Sequence, residues 1–277
     1  MLNSVELFAG AGGLGLGLAL AGFRNRAVVE WDRWACDTIR ENQTRGHPLV
    51  ADWRVHETDV RTFDYATIDG PIDLVAGGPP CQPFSLGGKH AAYRDDRDMF
   101  PAAVDAVRQL RPRAFVFENV KGLLRENFAG YFGYIILQLE FPEIRRRGDE
   151  DWTSHLVRLQ KHKTSTSQSG LRYNVVFQLL NAADFGVPQA RERVFIVGFR
   201  SDLDIRWAFP APTHSREALW ADKWLTGAYW DRHRVPAAER ETPPAQRQSA
   251  AALPLEWSSR EGKERRAWRT VRDAIAD

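Results

Sequence analysis

The feature that most restricts the fold is a glycine-rich stretch between two short apolar segments near the amino terminus. Residues Ser4 to Phe8 and Arg26 to Val29 have the composition of strands, and Ala9 to Gly22 between them is typical of a tight turn followed by a helix. Later apolar runs also have the length of buried strands: Ile72 to Ala76, Ala114 to Phe117, Tyr173 to Leu180 and Val194 to Phe199. The pattern predicts an α/β fold, Rossmann-like, with a mostly parallel sheet and helices on both faces.

The glycines of this stretch are spaced as in a dinucleotide-binding turn. Gly10, Gly12 and Gly15 fit the spacing, and Glu30 follows Gly10 by 20 residues, where an acidic group meets ribose hydroxyls in such folds. A plain tight turn is the alternative, because the motif alone is weak. For Trp31, next to Glu30, core packing and stacking on an adenine ring remain equally open.

A second unusual stretch surrounds a cysteine and runs from Gly77 to Ser85. It follows the Ile72 to Ala76 run, so Cys81 is expected in a stiff loop at the carboxyl end of a strand, where ligands bind in open α/β sheets. Prolines on both sides of the sulfur restrict the backbone. This framing favours a functional thiol over an ordinary packing cysteine.

Other polar residues follow predicted strands and are expected at the same edge of the sheet. Glu118 ends the Ala114 to Phe117 run, and Asp59 stands at another probable strand end. Arg191 and Arg193 lead into the last strand and point to one face of it. A thiol and a carboxylate at two strand ends suit a nucleophile and an acid facing one pocket. The alternatives are a solvated turn or cap residue for Asp59 and a helix cap or surface salt bridge for Glu118. For the arginines, the alternative is a surface ion pair with Glu192.

Composition places the chain among soluble globular proteins. It has 277 residues, a formal net charge of +2 and two cysteines, Cys36 and Cys81. The small positive charge is compatible with nucleic acid without arguing for it. Few cysteines and no apolar leader or membrane-length run favour a cytoplasmic protein without a membrane partner. Without a histidine cluster near the cysteines, we expect no metal site.

The βα rhythm stops near residue 200, which we take as a domain boundary. Residues 1–200 are expected to form a catalytic and cofactor-binding domain with an insertion at about 142–170, part of which we expect to be exposed and flexible. Residues 201–277 form a Trp-, Pro- and Arg-rich extension with six of the ten tryptophans. These aromatic rings require cover, so full disorder is not expected.

Taken together, these motifs resemble those of the DNA cytosine-5 methyltransferases of bacterial restriction-modification type, in the same order over residues 4–200. The resemblance implies a fold like that of S-adenosylmethionine-dependent methyltransferases. The motif matches are Phe8 to Gly13, Glu30-Trp31, Asp59-Val60, Gly78 to Ser85, Glu118-Asn119-Val120 and Gln189-x-Arg191-x-Arg193.

The resemblance also implies roles for individual residues. Cys81 would attack C6 of a cytosine flipped out of double-stranded DNA, Glu118 would hold N3, and Arg193, assisted by Arg191, would steady the ring carbonyl. S-adenosylmethionine would be bound by Phe8, Ala9, Gly10, Gly12, Gly13, Glu30, Trp31, Asp59 and Val60, with Pro80 beside its methyl group. The target base would be contacted by Gln82, Ser85, Asn119 and Val120.

The family's target-recognition region and its last two motifs are not found in the chain. We therefore expect either one subunit of a split enzyme, completed by a second subunit, or a truncated chain, with little sequence-specific activity alone. Three alternatives remain: a tRNA cytosine-5 methyltransferase of the same family, a nucleotide-dependent oxidoreductase, and a non-catalytic DNA-binding relative.

Overall fold

The structure, a computed structural model, describes residues 1–80, 98–165, 170–242 and 265–275. By contacts the chain divides into two compact units. The first comprises Met1–Leu179 and Arg193–Trp207, and the second comprises Leu180–Glu192 and Ala208–Asp277. Within the described residues, no helix is both long enough and apolar enough to span a bilayer.

The central element is a seven-stranded sheet. Its strands are β1 (Leu2–Leu7), β2 (Phe23–Glu30), β3 (Val55–Glu57), β4 (Leu74–Gly77), β5 (Ala114–Val120), β6 (Tyr173–Asn181) and β7 (Glu192–Arg200). The strand order is β3-β2-β1-β4-β5-β7-β6. The first five strands pair in parallel, and β7 pairs with β5 in the antiparallel direction. This confirms the predicted α/β class.

Helices cover both faces of the sheet, as predicted. They are α1 (Gly13–Leu20), α2 (Arg33–Thr44), α3 (Phe100–Leu110), α4 (Ala129–Glu140) and α5 (Trp152–Lys163). A large core contains Val5 and Leu7 of β1 together with buried residues of α3, α4 and α5. On the other face Val28 packs with Ile39 of α2 and Leu16 of α1. The alternation of side chains along a strand separates the two cores.

Within the segment 142–170, part of which we expect to be exposed, Trp152–Lys163 form α5 and pack against the large core. Leu159 is buried in the large core, and Trp152 and Leu156 pack against it. His155 is also buried, and its ring bonds to the Tyr134 hydroxyl and to the Ile144 carbonyl, each at 2.8 Å. Apolar residues at helical spacing stand among many charged ones here, so the charge hid the pattern.

The second unit has a small aromatic core of its own. Its elements are β8 (His214–Ser215), α6 (Arg216–Trp224), α7 (Ala228–Arg232), β9 (Arg266–Ala267) and α8 (Val271–Ile275). Tyr229, Trp230 and Val235 are buried together. The Lys223 ammonium lies 4.8 Å from the Tyr229 ring centroid and 5.1 Å from that of Trp230. Part of the tryptophan-rich extension therefore covers its rings within the unit itself.

The packing of β5 against β7 leads to a stability prediction. Gly198 pairs with Phe115, and a Cβ at Gly198 would lie 2.2 Å from the Phe115 ring. We expect Gly198→Ala to lower the free energy of unfolding by about 1–3 kcal/mol, because the buried ring must shift. The matched control is Gly130→Ala in the first turn of α4, where a Cβ meets nothing within 4 Å. Urea unfolding of both variants tests this, and equal stabilities would contradict it.

Candidate active site

A cleft of about 400 Å³ opens at the edge of the sheet where β1, β2, β3 and β4 end. It is lined by Phe8, Gly10, Val29, Glu30, Trp31, Thr58, Asp59, Val60, Arg61, Gly78, Pro80 and Met99. Seven of these are among the ten residues predicted to hold the cofactor. The other three, Ala9, Gly12 and Gly13, do not line the cleft. Since parallel strands end at one edge, motifs far apart in sequence meet here.

The glycine-rich turn enters the cleft in a constrained conformation. Phe8 has a φ of 53°, which is uncommon for a residue with a side chain. Gly12 has a φ of 85° and precedes α1, and a Cβ there would lie 2.8 Å from the Trp53 ring. Glycine is therefore required at position 12 for two reasons: the backbone is left-handed there, and the buried Trp53 ring leaves no room for a Cβ.

Glu30 joins the end of β2 to this turn. Its carboxylate accepts hydrogen bonds from the Gly10 N–H at 2.7 Å and from the Trp31 and Asp32 N–H groups at 2.8 Å. A carboxylate has about four acceptor positions, so three donors leave room for another. Glu30 thus braces the turn and still offers an acceptor to a ligand in the cleft.

A second carboxylate, that of Glu6 in β1, also holds the glycine-rich turn in place. Glu6 was not among the site residues predicted from the sequence. It is 1% exposed, and its Oε1 accepts from the Gly15 N–H at 2.8 Å. Gly12, at the N-cap of α1, provides no side-chain cap, so this carboxyl satisfies one of the helix's open N–H groups. Burial, and to a lesser degree the charge of Glu30, raises the pKa of Glu6 to about 7 despite the Gly15 bond. The available signal was a carboxylate between the apolar residues Val5 and Leu7 of β1.

Trp31 and Asp59 lie at the mouth of the cleft. Trp31 is 69% exposed, which contradicts the core-packing alternative and leaves a ring face open to a ligand. Asp59 is held by Arg61, whose Nη2 lies 2.6 Å from Asp59 Oδ2. The hydrogen bonds from the Arg61 side chain hold the pKa of Asp59 below its usual value. Asp59 is therefore an ionised acceptor at the cleft.

Next to the cleft, Glu118 and Arg193 form an ion pair. Arg193 Nε lies 2.7 Å from Glu118 Oε1, and both side chains are about three-quarters buried. The pairing of β5 with β7 sets Val120 opposite Arg193, so Glu118 and Arg193 are diagonal neighbours on one face. A Cβ at Gly78 would lie 3.5 Å from Glu118 Oε2, which places this carboxyl beside the segment that leads to Cys81.

Asn119 fixes the start of the segment that leads from β4 to Cys81. Its Nδ2 donates to the Pro79 carbonyl at 2.9 Å, and its Oδ1 accepts from the Val120 N–H at 2.8 Å. The Met99 N–H donates to the Pro80 carbonyl at 3.1 Å. The described residues on either side of the cysteine segment, Pro80 and Met99, are thus joined by a hydrogen bond. The Asn119 side chain is buried in this role, whereas Val120 is half-exposed.

Some predicted residues are not placed in this arrangement. Cys81, Gln82 and Ser85 lie outside the described residues. Arg191 is exposed and belongs to the second unit, where its N–H donates to Asn181 Oδ1 at 3.1 Å. Cys36, interpreted as a packing residue, is fully buried, and burial raises the pKa of its thiol to about 11.

Another concavity in the first unit has a different character. It is an open groove of about 530 Å³ along α4, α5 and β6, lined mostly by apolar side chains such as Phe132 and Phe177. It contains none of the predicted site residues. Across the described ranges, no three His, Cys, Asp or Glu side chains are grouped as metal ligands. The polar groups suited to chemistry converge on the cleft at the strand ends instead.

Comparison with known proteins agrees with this geometry. The family of C-5 cytosine-specific DNA methylases matches residues 2–142 and 154–247. The chain belongs to this family. Among the curated methylases, Type II methyltransferase M.NgoMIV of Neisseria gonorrhoeae is 37% identical over 210 residues, covering 76% of this chain and 55% of that protein. M.AquIA of Picosynechococcus is 37% identical over 254 residues, covering 90% of this chain and 92% of that protein.

A solved structure also matches this methylase chain. It is described as a DNA modification methyltransferase encoded within a prophage of E. coli, with a TM-score of 0.51 and 25% identity over 79% of this chain and 50% of that one. The chain spans about half the length of several curated methylases, for example 47% of M.PspPI from Psychrobacter. The resemblance recognised in the sequence is confirmed at the level of the family.

The position of Glu6 leads to a prediction about stability and pH. A raised folded-state pKa means that the native state binds more protons than the unfolded state between about pH 4.5 and 7. The contribution of Glu6 to stability is therefore present at low pH and lost as the pH rises through about 7. We expect Glu6→Gln to be more stable than the wild type by up to about 3 kcal/mol at pH 8 and similar to it near pH 4.5. Urea unfolding across this range tests this, and a pH-independent difference would contradict it.

Proposed function

We propose that the chain carries the cofactor-binding and catalytic parts of a DNA cytosine-5 methyltransferase. It would transfer a methyl group from S-adenosylmethionine to C5 of a cytosine turned out of duplex DNA. The observation that carries the proposal is the Glu118–Arg193 ion pair, which lies beside the segment leading to Cys81 and next to the cleft, in a chain of the cytosine methylase family.

The cleft fits S-adenosylmethionine by its chemistry. Phe8 and the open face of Trp31 suit a purine ring, Glu30 keeps an acceptor position for ribose hydroxyls, and Asp59 is an ionised acceptor for an amino group. Pro80 lines the side toward the cysteine loop. When bound, the cofactor supplies an electrophilic methyl group. Holding it in an apolar cleft excludes water from the transfer.

The residues of the chain would activate the base. C5 of cytosine is a poor nucleophile until C6 carries an adduct, so the Cys81 thiolate would add to C6. Glu118 would hold a proton at N3, which accepts the electron density pushed into the ring. Arg193 keeps the Glu118 side chain in place and could donate to the ring carbonyl. Loss of the C5 proton and expulsion of the thiolate would then release the methylated base.

We also propose that methyl transfer to a specific sequence needs a target-recognition region from a second polypeptide. The support comes from the relatives: the chain covers 55% of M.NgoMIV but 92% of M.AquIA. One protein of this family therefore has a length close to that of this chain. Methyl transfer by the chain alone, at the rate of the longer methylases, would contradict the need for a partner.

Covalent trapping tests the nucleophile. In the presence of S-adenosylmethionine and of the polypeptide that supplies the target-recognition region, duplex DNA carrying 5-fluorocytosine should form a stable conjugate with the wild-type chain. The conjugate persists because fluorine cannot leave C5 as a proton does. Cys81→Ser should form none, as shown by denaturing gel and mass spectrometry. A conjugate that persists in Cys81→Ser would overturn the assignment. RNA of the same sequence is the parallel substrate, and preferential trapping of RNA would indicate an RNA methyltransferase.

Glu118 is tested by a change that keeps its shape. In the presence of the same second polypeptide, we expect Glu118→Gln to lower kcat by about 10²-fold or more, because the amide cannot hold the proton at N3. The Kd for S-adenosylmethionine should change little, since Glu118 does not line the cleft. The control is Glu126→Gln, an exposed residue shortly after β5. An equal loss in both variants would contradict a role for Glu118 in the chemistry.

A further inference from the structure

The buried carboxyl of Glu6 has an environment that its bracing role does not account for. Oε1 accepts from the Gly15 N–H, but Oε2 makes no hydrogen bond and is inaccessible to solvent. A Cβ at Gly15 would lie 2.0 Å from Oε2, so the first turn of α1 rests directly on the carboxyl group. Only one of the two oxygens is therefore satisfied by the fold.

No opposite charge compensates Glu6 among the described residues. α1 and β4, which lie against β1, carry no titratable side chain. β2 carries Arg24 and Arg26 in its first half and Glu30 at its end, and the charge among these that acts on Glu6 is that of Glu30, which has the same sign. The electrostatic partners of Glu6 are thus the Gly15 N–H and Glu30. Glu30 differs from Glu6 because three backbone N–H groups hold its charge. An ionised Glu6 would favour any positive charge that a ligand brings to the other side of the glycine-rich turn.

We propose that Glu6 makes the affinity of the cleft depend on the charge of the cofactor, and that it favours the sulfonium donor over the thioether product. This inference rests on the proposed function, since S-adenosylmethionine carries the sulfonium charge and S-adenosylhomocysteine lacks it. Glu6 acts through the turn and touches neither the ligand nor the reacting atoms, so it is a positioning residue. After transfer the positive charge is gone, and the buried carboxylate no longer stabilises the bound product.

Protonation links this effect to pH. The pKa of Glu6 is raised to about 7, so the carboxyl group is partly protonated near neutrality. A cation in the cleft favours the ionised form, and binding of the sulfonium donor should therefore release part of a proton. The product, without that charge, should release less. The amino group of each ligand also titrates, and the sulfonium lowers the amino pKa of the donor relative to the product. Proton release is therefore compared between the wild type and Glu6→Gln for each ligand, because the amino group contributes equally in both proteins.

Titration calorimetry on the full chain tests the inference. The two ligands are S-adenosylmethionine and S-adenosylhomocysteine, measured from pH 6 to 8 in two buffers of different ionisation enthalpy. In the wild type, we expect the ratio of the product Kd to the donor Kd to rise on the order of threefold to tenfold over this range, with more proton release for the donor. In Glu6→Gln, which keeps an acceptor for the Gly15 N–H but has no charge, the ratio should stay flat. Glu126→Gln, an exposed change shortly after β5, is the control and should behave as wild type.

The outcomes separate the two proposals. If the wild type binds neither ligand, the cofactor assignment of the proposed function is wrong, and this inference with it. If it binds both, but Glu6→Gln keeps the wild-type pH dependence, the role of Glu6 alone is overturned. Circular dichroism confirms that the variant is folded. Should it not fold, the wild type at pH 6 still decides the question, because the amino groups of both ligands are protonated there. Equal proton release with both ligands at this pH would overturn the role of Glu6.

Discussion

Two carboxylates hold the glycine-rich turn, and the cleft depends on them. Glu30, at the end of β2, accepts a hydrogen bond from the Gly10 N–H. Glu6, in β1, accepts a hydrogen bond from the Gly15 N–H in the first turn of α1. The turn lacks side chains that could fix its own shape, so its geometry must come from groups outside it. Both groups lie on adjacent strands, β1 and β2, which pair in parallel. The sheet therefore sets the shape of the turn directly.

The second half of the site depends on the single antiparallel strand in the observed pairings. If β7 ran parallel to β5, Arg193 at its start would lie at the opposite edge of the sheet from Glu118. The antiparallel direction instead sets Arg193 opposite Val120 at the carboxyl edge. A guanidinium group there orients the carboxylate and keeps its charge tolerable in a partly buried position. The strand reversal is thus a condition for the Glu118–Arg193 ion pair on which the proposed chemistry depends.

The sequence predicted most of the first unit because its elements are local and periodic. The strands of the parallel sheet are short apolar runs with polar residues at their ends, so Glu30 and Glu118 could be placed at the carboxyl edge by position alone. Trp31 could not be decided, since an aromatic residue after a strand suits a core as well as a cleft. The burial of Glu6 and the packing of α5 were missed for a related reason. Both depend on which residues pack against them, and a charged strand residue or a charge-rich helix does not reveal its three-dimensional neighbours in the sequence.

Asn119 connects the two halves of the site. Its amide donates to Pro79 while its own carbonyl oxygen accepts from Val120, so one buried side chain ties the end of β5 to the segment after β4. Glu118 precedes it and faces Arg193, and the Pro79–Pro80 segment borders the cleft. Movement of the end of β4 or β5 would therefore displace Glu118 and the Pro79–Pro80 segment together. The residues that lead into the cysteine segment are therefore positioned by a strand that is distant from them in the sequence.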